Sequence, residues 1–518
     1  MTLNRRDFLI KLIGATSVTV LSQCTLLHPL LASVSPANLA TDPRRPQFHL
    51  LPAANWMNDP NGPIYWNGQY HMFYQYNPNG AFWGDMHWGH AISADMVHWR
   101  HLPIALTPTP GGPDSAGCFS GTSVIDGDRV VVISTGVVSS PEDEATIRDG
   151  LHSLKESQCL AFSSDKDLRT WTKDPQPVIA MPPAGMGVSG FRDPVPWRHG
   201  EWWYMVVGSG IRGKGGAVLL YRSRNLRHWD YLHLLTQGNG NGKNETNPVD
   251  SGDMWECPDF FPIGEKHVLI HSAEGKAYWQ AGVFDPEQLV FLPEQNGVLD
   301  YGSFYAPKTQ LDEHQNRVLW GWIPETRPLE EYRASGWAGM MSLPRILTVD
   351  EKSNLCMTIA PAVEKLRQSP RTLQISNSEE QNQDQIARMH VKNCCGEILC
   401  TAKPASGMFG LSLFGNGEAN GTPWLTVEYD PAQPDQLRLD EKPVSLHPSK
   451  TRELELHFYI DGSVIEAFVN KRAAYTKRFY YDGSLAPQLN IKVGGMTTEI
   501  SNLSTWQLAP ISINRLTT

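Results

Sequence analysis

Three carboxylates in this chain share one local context, with an aromatic residue close before each and a proline one or two positions after it. Asp59 lies in Trp-Met-Asn-Asp-Pro-Asn-Gly at residues 56–62, Asp193 in Gly-Phe-Arg-Asp-Pro, and Glu256 in Trp-Glu-Cys-Pro-Asp. Taken singly, each segment is typical of a turn or a surface ion pair. Their recurrence in separate parts of the chain indicates carboxylates that the fold gathers into one pocket.

Two carboxylates on opposite sides of a glycosidic bond are sufficient to hydrolyse it, one as an ionised nucleophile and one as a protonated acid. Glu256 is the predicted acid, because its apolar neighbours exclude water and so raise a carboxyl pKa. Asp59 is the predicted nucleophile, since Asn58 and nearby backbone amides can hold its anion. Asp193 follows Arg192, so we expect it to stay ionised and to bind substrate hydroxyls.

The region from about Phe48 to Arg345 must position these groups, and it consists of short apolar runs broken by Gly, Pro, Asn and Asp. This pattern predicts strands and disfavours parallel βαβ units. A short motif ends in Trp99, Trp171 and Trp229, at intervals of roughly 60–70 residues, with a looser copy at residues 285–291. Repeats of this length predict the blades of a five-bladed β-propeller. A large β-sandwich is the alternative.

A second module follows the first. From about Ile386 the chain is again strand-like, and every second residue of the segment 454–460 is apolar, which predicts a half-buried strand of an antiparallel β-sandwich. The predicted fold is therefore all-β. Its predicted layout is an export signal at 1–40, a five-bladed β-propeller catalytic domain at 45–348, a linker with a short helix at 349–370 and a C-terminal β-sandwich at 371–516.

The N-terminus resembles a twin-arginine export signal, with Arg5 and Arg6 preceding Asp-Phe-Leu and a modestly apolar run over residues 12–31. That run contains a histidine and a proline, which disfavours the alternative of an uncleaved membrane anchor. A lipoprotein anchor at Cys24 is disfavoured because a bulky glutamine precedes it. We expect cleavage within residues 31–40 and a periplasmic or extracellular protein, without membrane contact after the leader is removed.

Composition narrows the classes of partner. The chain has 518 residues, a formal net charge of −10 at pH 7 and no long Lys/Arg run, so nucleic acid and anionic membranes are poor partners. A monomer is favoured. The cysteines have neither the spacing of a disulfide framework nor that of a zinc site. One disulfide bond is still possible among the four cysteines at positions 356, 394, 395 and 400.

The three carboxylate segments resemble the signature motifs of the invertase, levanase and inulinase family, glycoside hydrolase family 32. They occur in the family's order, and further similar segments cover nearly the whole chain after the leader. These segments are residues 73–78, 83–84, 88–90, 119–121, 304–309, 336–345 and 461–468.

This resemblance implies hydrolysis of β-fructofuranosidic bonds in sucrose or in fructans such as levan or inulin. It implies retention of configuration and exo action with release of fructose. By motif, Asp59 is the nucleophile, Glu256 the acid/base, and Asp193 with Arg192 stabilises the transition state. No metal or organic cofactor is required. The residues that the resemblance places in the fructosyl pocket are Asn58, Gln75, Trp83, Phe119, Ser120 and Trp337.

Three alternative functions are considered for the same motifs. A fructosyltransferase would use a sugar instead of water. A non-catalytic fructan-binding protein is disfavoured because both Asp59 and Glu256 are present. An arabinan-type hydrolase leaves residues 58–62 unexplained. The charged segment 139–156 departs from the expected pattern, and we expect either a wall of the pocket or a solvated surface loop there.

Overall fold

The structure is a computed structural model that describes residues 36–148, 153–238, 252–373, 385–391, 394–405, 407–415, 422–446, 453–481, 488–494 and 498–512. Most of the predicted leader, up to residue 35, lies outside these ranges. The described helices are short: α1 (Pro36–Thr41), α2 (Leu329–Ser335) and a 3₁₀ helix (Pro361–Leu366). In these ranges, no helix has the length and apolarity needed to cross a membrane.

The first three blades are antiparallel sheets, and the strands named for each come from one stretch of the chain. Blade 1 contains β1 (Asn55–Trp66), β2 (Gln69–Asn77), β3 (His87–Ser93) and β4 (Trp99–Leu106). Blade 2 contains β5 (Gly117–Asp126), β6 (Arg129–Ser139), β7 (Ile147–Arg148), β8 (Ser153–Ser163) and β9 (Thr172–Lys173). Blade 3 contains β10 (Val188–His199), β11 (Trp202–Ile211), β12 (Gly215–Ser223) and β13 (Trp229–Gln237).

Two more blades complete the ring, and the first strands of neighbouring blades contact one another all the way round. Blade 4 contains β14 (Glu256–Ile263), β15 (Lys266–Ala273), β16 (Lys276–Asp285) and β17 (Val290–Asp300). Blade 5 contains β18 (Tyr305–Leu311), β19 (Arg317–Ile323), β21 (Met340–Met341), β22 (Arg345–Val349) and β23 (Leu355–Ile359). The intervening β20 (Trp337–Ala338) pairs in parallel with β1 and so links the last blade to the first.

The Trp-terminated repeat corresponds to one turn, which joins the inner part of a blade to its outermost strand. In blade 1, Asp95 accepts hydrogen bonds from the backbone amides of Val97 and His98, and the Trp99 indole donates to Met96 O. Blade 2 repeats both features, blade 3 repeats them with Asn225 as the cap, and blade 4 repeats the aspartate cap. The five-bladed propeller predicted from this period is confirmed.

Two six-stranded sheets form the C-terminal β-sandwich, as predicted, and enclose one apolar core. The first sheet contains β24 (Arg367–Thr372), β35 (Thr498–Leu508), β26 (Cys395–Pro404), β31 (Leu454–Asp461), β32 (Val464–Val469) and β33 (Ala473–Arg478), in that spatial order. The second contains β25 (Gln385–His390), β34 (Gln488–Gly494), β27 (Phe409–Phe414), β28 (Leu425–Tyr429), β29 (Gln436–Leu439) and β30 (Lys442–Ser445). The seven described cysteines are free thiols.

A buried ionic network joins the propeller to the sandwich, and we call it the interdomain network. Arg345 donates to Asp300 Oδ2 at 2.9 Å and to Glu466 Oε2 at 2.5 Å. His49 contacts Asp461 Oδ2 at 2.8 Å and Glu466 Oε1 at 2.9 Å. All five side chains are fully buried. Asp461 also accepts the backbone amides of residues 47, 48 and 49, at 2.6, 2.8 and 3.0 Å, so the sandwich fixes the N-terminal segment of the propeller.

Candidate active site

Each inner strand of the propeller carries a bulge, where regular pairing with the next strand is interrupted. Bulges of this kind re-aim side chains beside active sites. The interruptions lie between Met57 and Pro60 in β1, Phe119 and Gly121 in β5, Arg192 and Val195 in β10, Glu256 and Asp259 in β14, and Tyr305 and Lys308 in β18. Four of them include a proline, which cannot donate to a strand ladder. The prolines that follow the three carboxylates therefore mark bulges.

Three bulge residues that precede a proline have left-handed backbones, a strained conformation for non-glycine residues. They are Asp193 (φ 65°), Cys257 (φ 48°) and Ala306 (φ 50°). A neighbouring side chain holds each backbone amide. The Asp193 amide donates to Thr135 Oγ1 at 2.9 Å, the Cys257 amide to Asp193 Oδ2 at 2.7 Å, and the Ala306 amide to Ser272 Oγ at 3.0 Å. These bonds fix the bulges before any substrate binds.

Both side-chain oxygens of Asp59 accept hydrogen bonds from neighbouring side chains. Asn58 Nδ2 donates to Oδ1 at 2.9 Å, and Ser120 Oγ donates to Oδ2 at 2.6 Å. Asn58 is itself oriented by the Trp56 indole, whose Nε1 donates to Asn58 Oδ1 at 2.6 Å. Asp59 is 1% exposed. The aromatic residue before the carboxylate therefore orients the amide that binds it.

Glu256 is bound by two donors, the Arg192 guanidinium on Oε1 at 2.8 Å and the Tyr305 hydroxyl on Oε2. The other end of the Arg192 guanidinium donates to Glu156 Oε1 at 2.8 Å. Burial opposes the charge of Arg192, but Glu156, Glu256 and Asp193 outweigh it and raise the pKa of the guanidinium. Arg192 therefore stays cationic between two glutamates.

Asp193 is the third carboxylate at the site and is 2% exposed. Burial raises its pKa above the usual aspartate value, and the nearby charges of Asp59 and Glu256 raise it further. Arg192 and Lys308 oppose this shift. The ionisation of Asp193 therefore depends on the balance of charges around it.

Cys257 connects the candidate nucleophile with the candidate acid. Its Sγ lies 3.5 Å from Asp59 Oδ2, and its peptide directly follows Glu256. Burial raises the pKa of this thiol well above the usual value, so it remains a donor to Asp59. The contact joins blades 1 and 4, which do not adjoin in the ring, and so places Asp59 and Glu256 across the propeller axis from each other.

Most of the other predicted binding residues lie around this group. Ser120 contacts Asp59 directly, as described above. Phe119 packs in one apolar cluster with Trp56, and Trp83 meets the Phe119 ring edge-on with 5.9 Å between centroids. Gln75 is buried, and its Nε2 donates to Cys118 O at 2.9 Å, beside Phe119. The structure thus brings these residues together on blades 1 and 2.

Trp337 is not brought to the carboxylates, and the prediction that it lines the pocket needs correction. Its side chain is fully buried in a cluster with Leu51 and Val464, a sandwich residue. The indole Nε1 donates to Asp42 Oδ2 at 2.8 Å, and the Arg327 guanidinium lies 4.9 Å from the ring centroid. Trp337 therefore packs the propeller against the N-terminal segment and the sandwich, and its indole N–H points to Asp42.

Sequence reasoning missed Glu156 and Tyr305. The segment 139–156 is not simply a solvated loop, because it includes β7 and the start of β8 and because Thr146 and Glu156 are buried. Its Ile147 packs against the cluster of Trp56 and Phe119, which fits the alternative of a pocket wall. Tyr305 lies in the motif at residues 304–309, whose spacing could have flagged it, whereas no pattern marked Glu156.

A cavity of about 400 Å³ lies elsewhere, between α1 and α2, and is lined by Asp42, Arg44, Arg327 and Glu331 among others. None of the predicted site residues lines it. Over the described ranges, no cluster of three His, Cys, Asp or Glu residues has the geometry to hold a metal ion. The candidate chemistry therefore centres on the three carboxylates at the propeller axis.

A propeller that gathers buried carboxyl groups from several blades at its axis presents the pair of acids that glycoside hydrolysis requires. The family model for the glycosyl hydrolases family 32 N-terminal domain matches residues 49–358, and that for the family 32 C-terminal domain matches residues 362–507. The chain therefore belongs to glycoside hydrolase family 32, the family of sucrose and fructan β-fructofuranosidases.

Three relatives illustrate the extent of the similarity. Sucrose-6-phosphate hydrolase from Escherichia coli is 34% identical over 489 residues, covering 89% of this chain and 94% of the relative. The structure of a β-fructofuranosidase from Bombyx mori superposes with a TM-score of 0.73 at 28% identity, covering 92% and 96% of the two chains. Fructan 1-exohydrolase IIa from Cichorium intybus gives a TM-score of 0.73 at 28% identity, covering 90% and 98%.

Proposed function

We propose that the protein is a retaining, exo-acting β-fructofuranosidase that releases fructose from sucrose or from the ends of fructans. The observation that carries this proposal is the Cys257 Sγ contact with Asp59, because it holds the candidate nucleophile close to the peptide of Glu256. Retaining glycosidases place their two carboxyl groups closer together than inverting ones do, since no water stands between nucleophile and sugar. The name of the fructan exohydrolase relative supports exo action.

The proposed reaction has two displacements. Asp59 attacks the anomeric carbon of the fructosyl group while Glu256 donates a proton to the departing oxygen. Asp193 stabilises the positive charge that develops on the fructosyl ring. Glu256, now a carboxylate, then takes a proton from water, and that water displaces Asp59 and frees fructose. Ser120 and Asn58 keep the Asp59 carboxylate oriented through both steps.

The test is product analysis with a panel of sucrose, sucrose 6-phosphate, levan and inulin. The phosphorylated sugar belongs in the panel because one relative is named for its hydrolysis. Free fructose alone from a polymer supports exo action, whereas a ladder of oligomers overturns it. Longer products from sucrose identify a transferase. With methanol as acceptor, methyl β-fructofuranoside supports retention and the α anomer refutes it.

Two variants test the assigned roles. Asp59→Asn should abolish turnover, because an amide cannot form the fructosyl ester. Glu256→Gln should lower kcat on the order of 10²–10⁴-fold, the usual effect of losing a general acid. Asp126→Asn is the matched control, since Asp126 pairs with Arg129 across the turn between β5 and β6. An active Asp59→Asn protein with an unchanged fold would refute the mechanism.

We also propose export through the twin-arginine pathway. The support is the Arg5-Arg6 pair ahead of a modestly apolar run. Replacing both arginines by lysine should leave the protein in the cytoplasm of the producing cell. Unchanged export of the double variant, measured by fractionation, would overturn this proposal without affecting the enzymatic one.

A further inference from the structure

Lys308 is a buried cation that the proposed mechanism does not use. It lies on β18, three residues after Tyr305, and is 1% exposed. Its Nζ donates to Pro258 O at 2.8 Å, and the ion pairs found among the described residues do not include it. Burying an ammonium group is costly unless nearby anions compensate it. A function for its charge is therefore expected in its surroundings.

The bond to Pro258 lies within the bulge that carries Glu256. Three residues of β18 hold this bulge at successive points. The Tyr305 hydroxyl binds Glu256, Lys308 Nζ binds Pro258 O, and the Thr309 amide donates to Asp259 Oδ2 at 2.6 Å. Lys308 supplies the middle point, so its loss would loosen the segment that orients Glu256.

The charge of Lys308 acts on two carboxylates. It lowers the pKa of Asp193 and of Asp259, whose pKa values burial raises. Asp193 also faces Arg192, but that guanidinium is already shared between Glu156 and Glu256. The carboxyl groups of Asp59 and Glu256 raise the pKa of Asp193, and the other cation that lowers the pKa of Asp259 is Arg317.

We propose that Lys308 is a positioning residue of this site, whose buried charge favours the ionised form of Asp193 and whose hydrogen bond fixes the bulge that presents Glu256. The catalytic meaning of this role rests on the proposed function. The charge and the hydrogen bond can be separated by substitution. Lys308→Arg keeps the charge, Lys308→Gln keeps a donor for Pro258 O without charge, and Lys308→Met removes both.

The first readout is the pH profile of kcat/KM for fructose release. In Lys308→Gln and Lys308→Met, the loss of the nearby positive charge should raise the pKa of Asp193, so activity should begin to fall about one pH unit higher on the acidic side of the profile. One unit is the lower end of the pKa shift that a nearby charge produces. Lys308→Arg should keep the acidic side of the wild-type profile. Lys308→Met should in addition lower kcat at every pH. A Lys308→Gln profile that superimposes on the wild type would overturn the charge role.

The second readout needs no activity. If Lys308 stabilises ionised Asp193, the loss of unfolding free energy in Lys308→Gln must grow as pH rises from about 4 to 8, because the interaction exists only with the carboxylate. The same comparison in an Asp259→Asn background removes the other partner. A loss that stays constant with pH in that background overturns the proposal. A wild type that is inert toward every fructoside refutes the proposed function instead, while the stability comparison still decides the role of Lys308.

Discussion

Replacing His49 by Gln tests whether the interdomain network holds a protonated histidine. Burial lowers the pKa of His49, but the hydrogen bonds and charges of Asp461 and Glu466 outweigh it and raise the pKa from 6.5 to about 9. A glutamine amide is neutral and carries both donors on one nitrogen, so it cannot replace the two ring nitrogens that contact Asp461 and Glu466. The variant therefore removes the His49 charge from both carboxylates and leaves Glu466 paired with Arg345 alone.

The shift sets the size of the effect and its pH window. At 1.36 kcal/mol per pKa unit, it corresponds to about 3 kcal/mol of stability at pH 6. Because the folded-state pKa is the higher one, this stability is fully present below pH 6.5 and is lost as pH rises through about 9. The gap between wild type and His49→Gln should therefore be widest near pH 6 and should narrow toward pH 9.5.

Urea unfolding followed by tryptophan fluorescence at pH 6, 7.5 and 9.5 measures this gap. His98→Gln is the matched control, because His98 also pairs with an aspartate but its side chain is 55% exposed. The control should match the wild type at every pH. If wild type and His49→Gln lose stability in parallel between pH 6 and 9.5, His49 is neutral in the folded protein and the reasoning fails.

Three further predictions concern single side chains. Ser120→Ala removes a donor to Asp59, so kcat/KM should fall roughly 10–100-fold, as expected for a hydrogen bond to a charged group, and an unchanged value would contradict the site. Gly339→Ala should lower the thermal midpoint of unfolding, because the added Cβ would lie 1.9 Å from Met57 O and because Gly339 has a φ of 78°. An unchanged midpoint would contradict this, since it would mean that β1 shifts to accommodate the methyl group at no cost in stability. Burial lowers the pKa of His71 to about 4, so the folded protein holds this histidine neutral and its stability should fall as pH drops from 6.5 toward 4. His71→Asn should lessen that loss in thermal melts. Equal losses in wild type and variant would assign the acid sensitivity to other groups.

Much of the fold could be predicted because its signals are local. The turn ending in Trp99, Trp171 or Trp229, capped by an aspartate or an asparagine, is a hydrogen-bonded unit of a few residues, so its sequence period reports the blade period. The alternation at residues 454–460 likewise appears as buried Leu454, Leu456 and Phe458 facing the sandwich core.

The parts that escaped prediction depend on contacts between distant segments. In the sequence, Glu156 is one of several charged residues in a polar segment. Only the fold shows that Arg192, from another blade, donates a hydrogen bond to it. Tryptophan is a residue type that often stacks on sugars, and the resemblance to the family predicts that Trp337 binds substrate. Its role depends on its neighbours in space, and these come from the N-terminal segment and the sandwich. The assigned roles of the three carboxylates stay predictions until variants are assayed.

The anchoring of the N-terminal segment has a consequence for maturation. Asp42 accepts the Trp337 indole, Arg45 is fully buried with its guanidinium on Pro52 O, and Asp461 binds the three amides of residues 47–49. If the proposed export signal is cleaved, a cut after Asp42 would remove a structural part of the folded protein together with the signal. The folded body would thus set a downstream limit for that cleavage, and sequencing the N-terminus of the exported protein should find its first residue at or before Asp42.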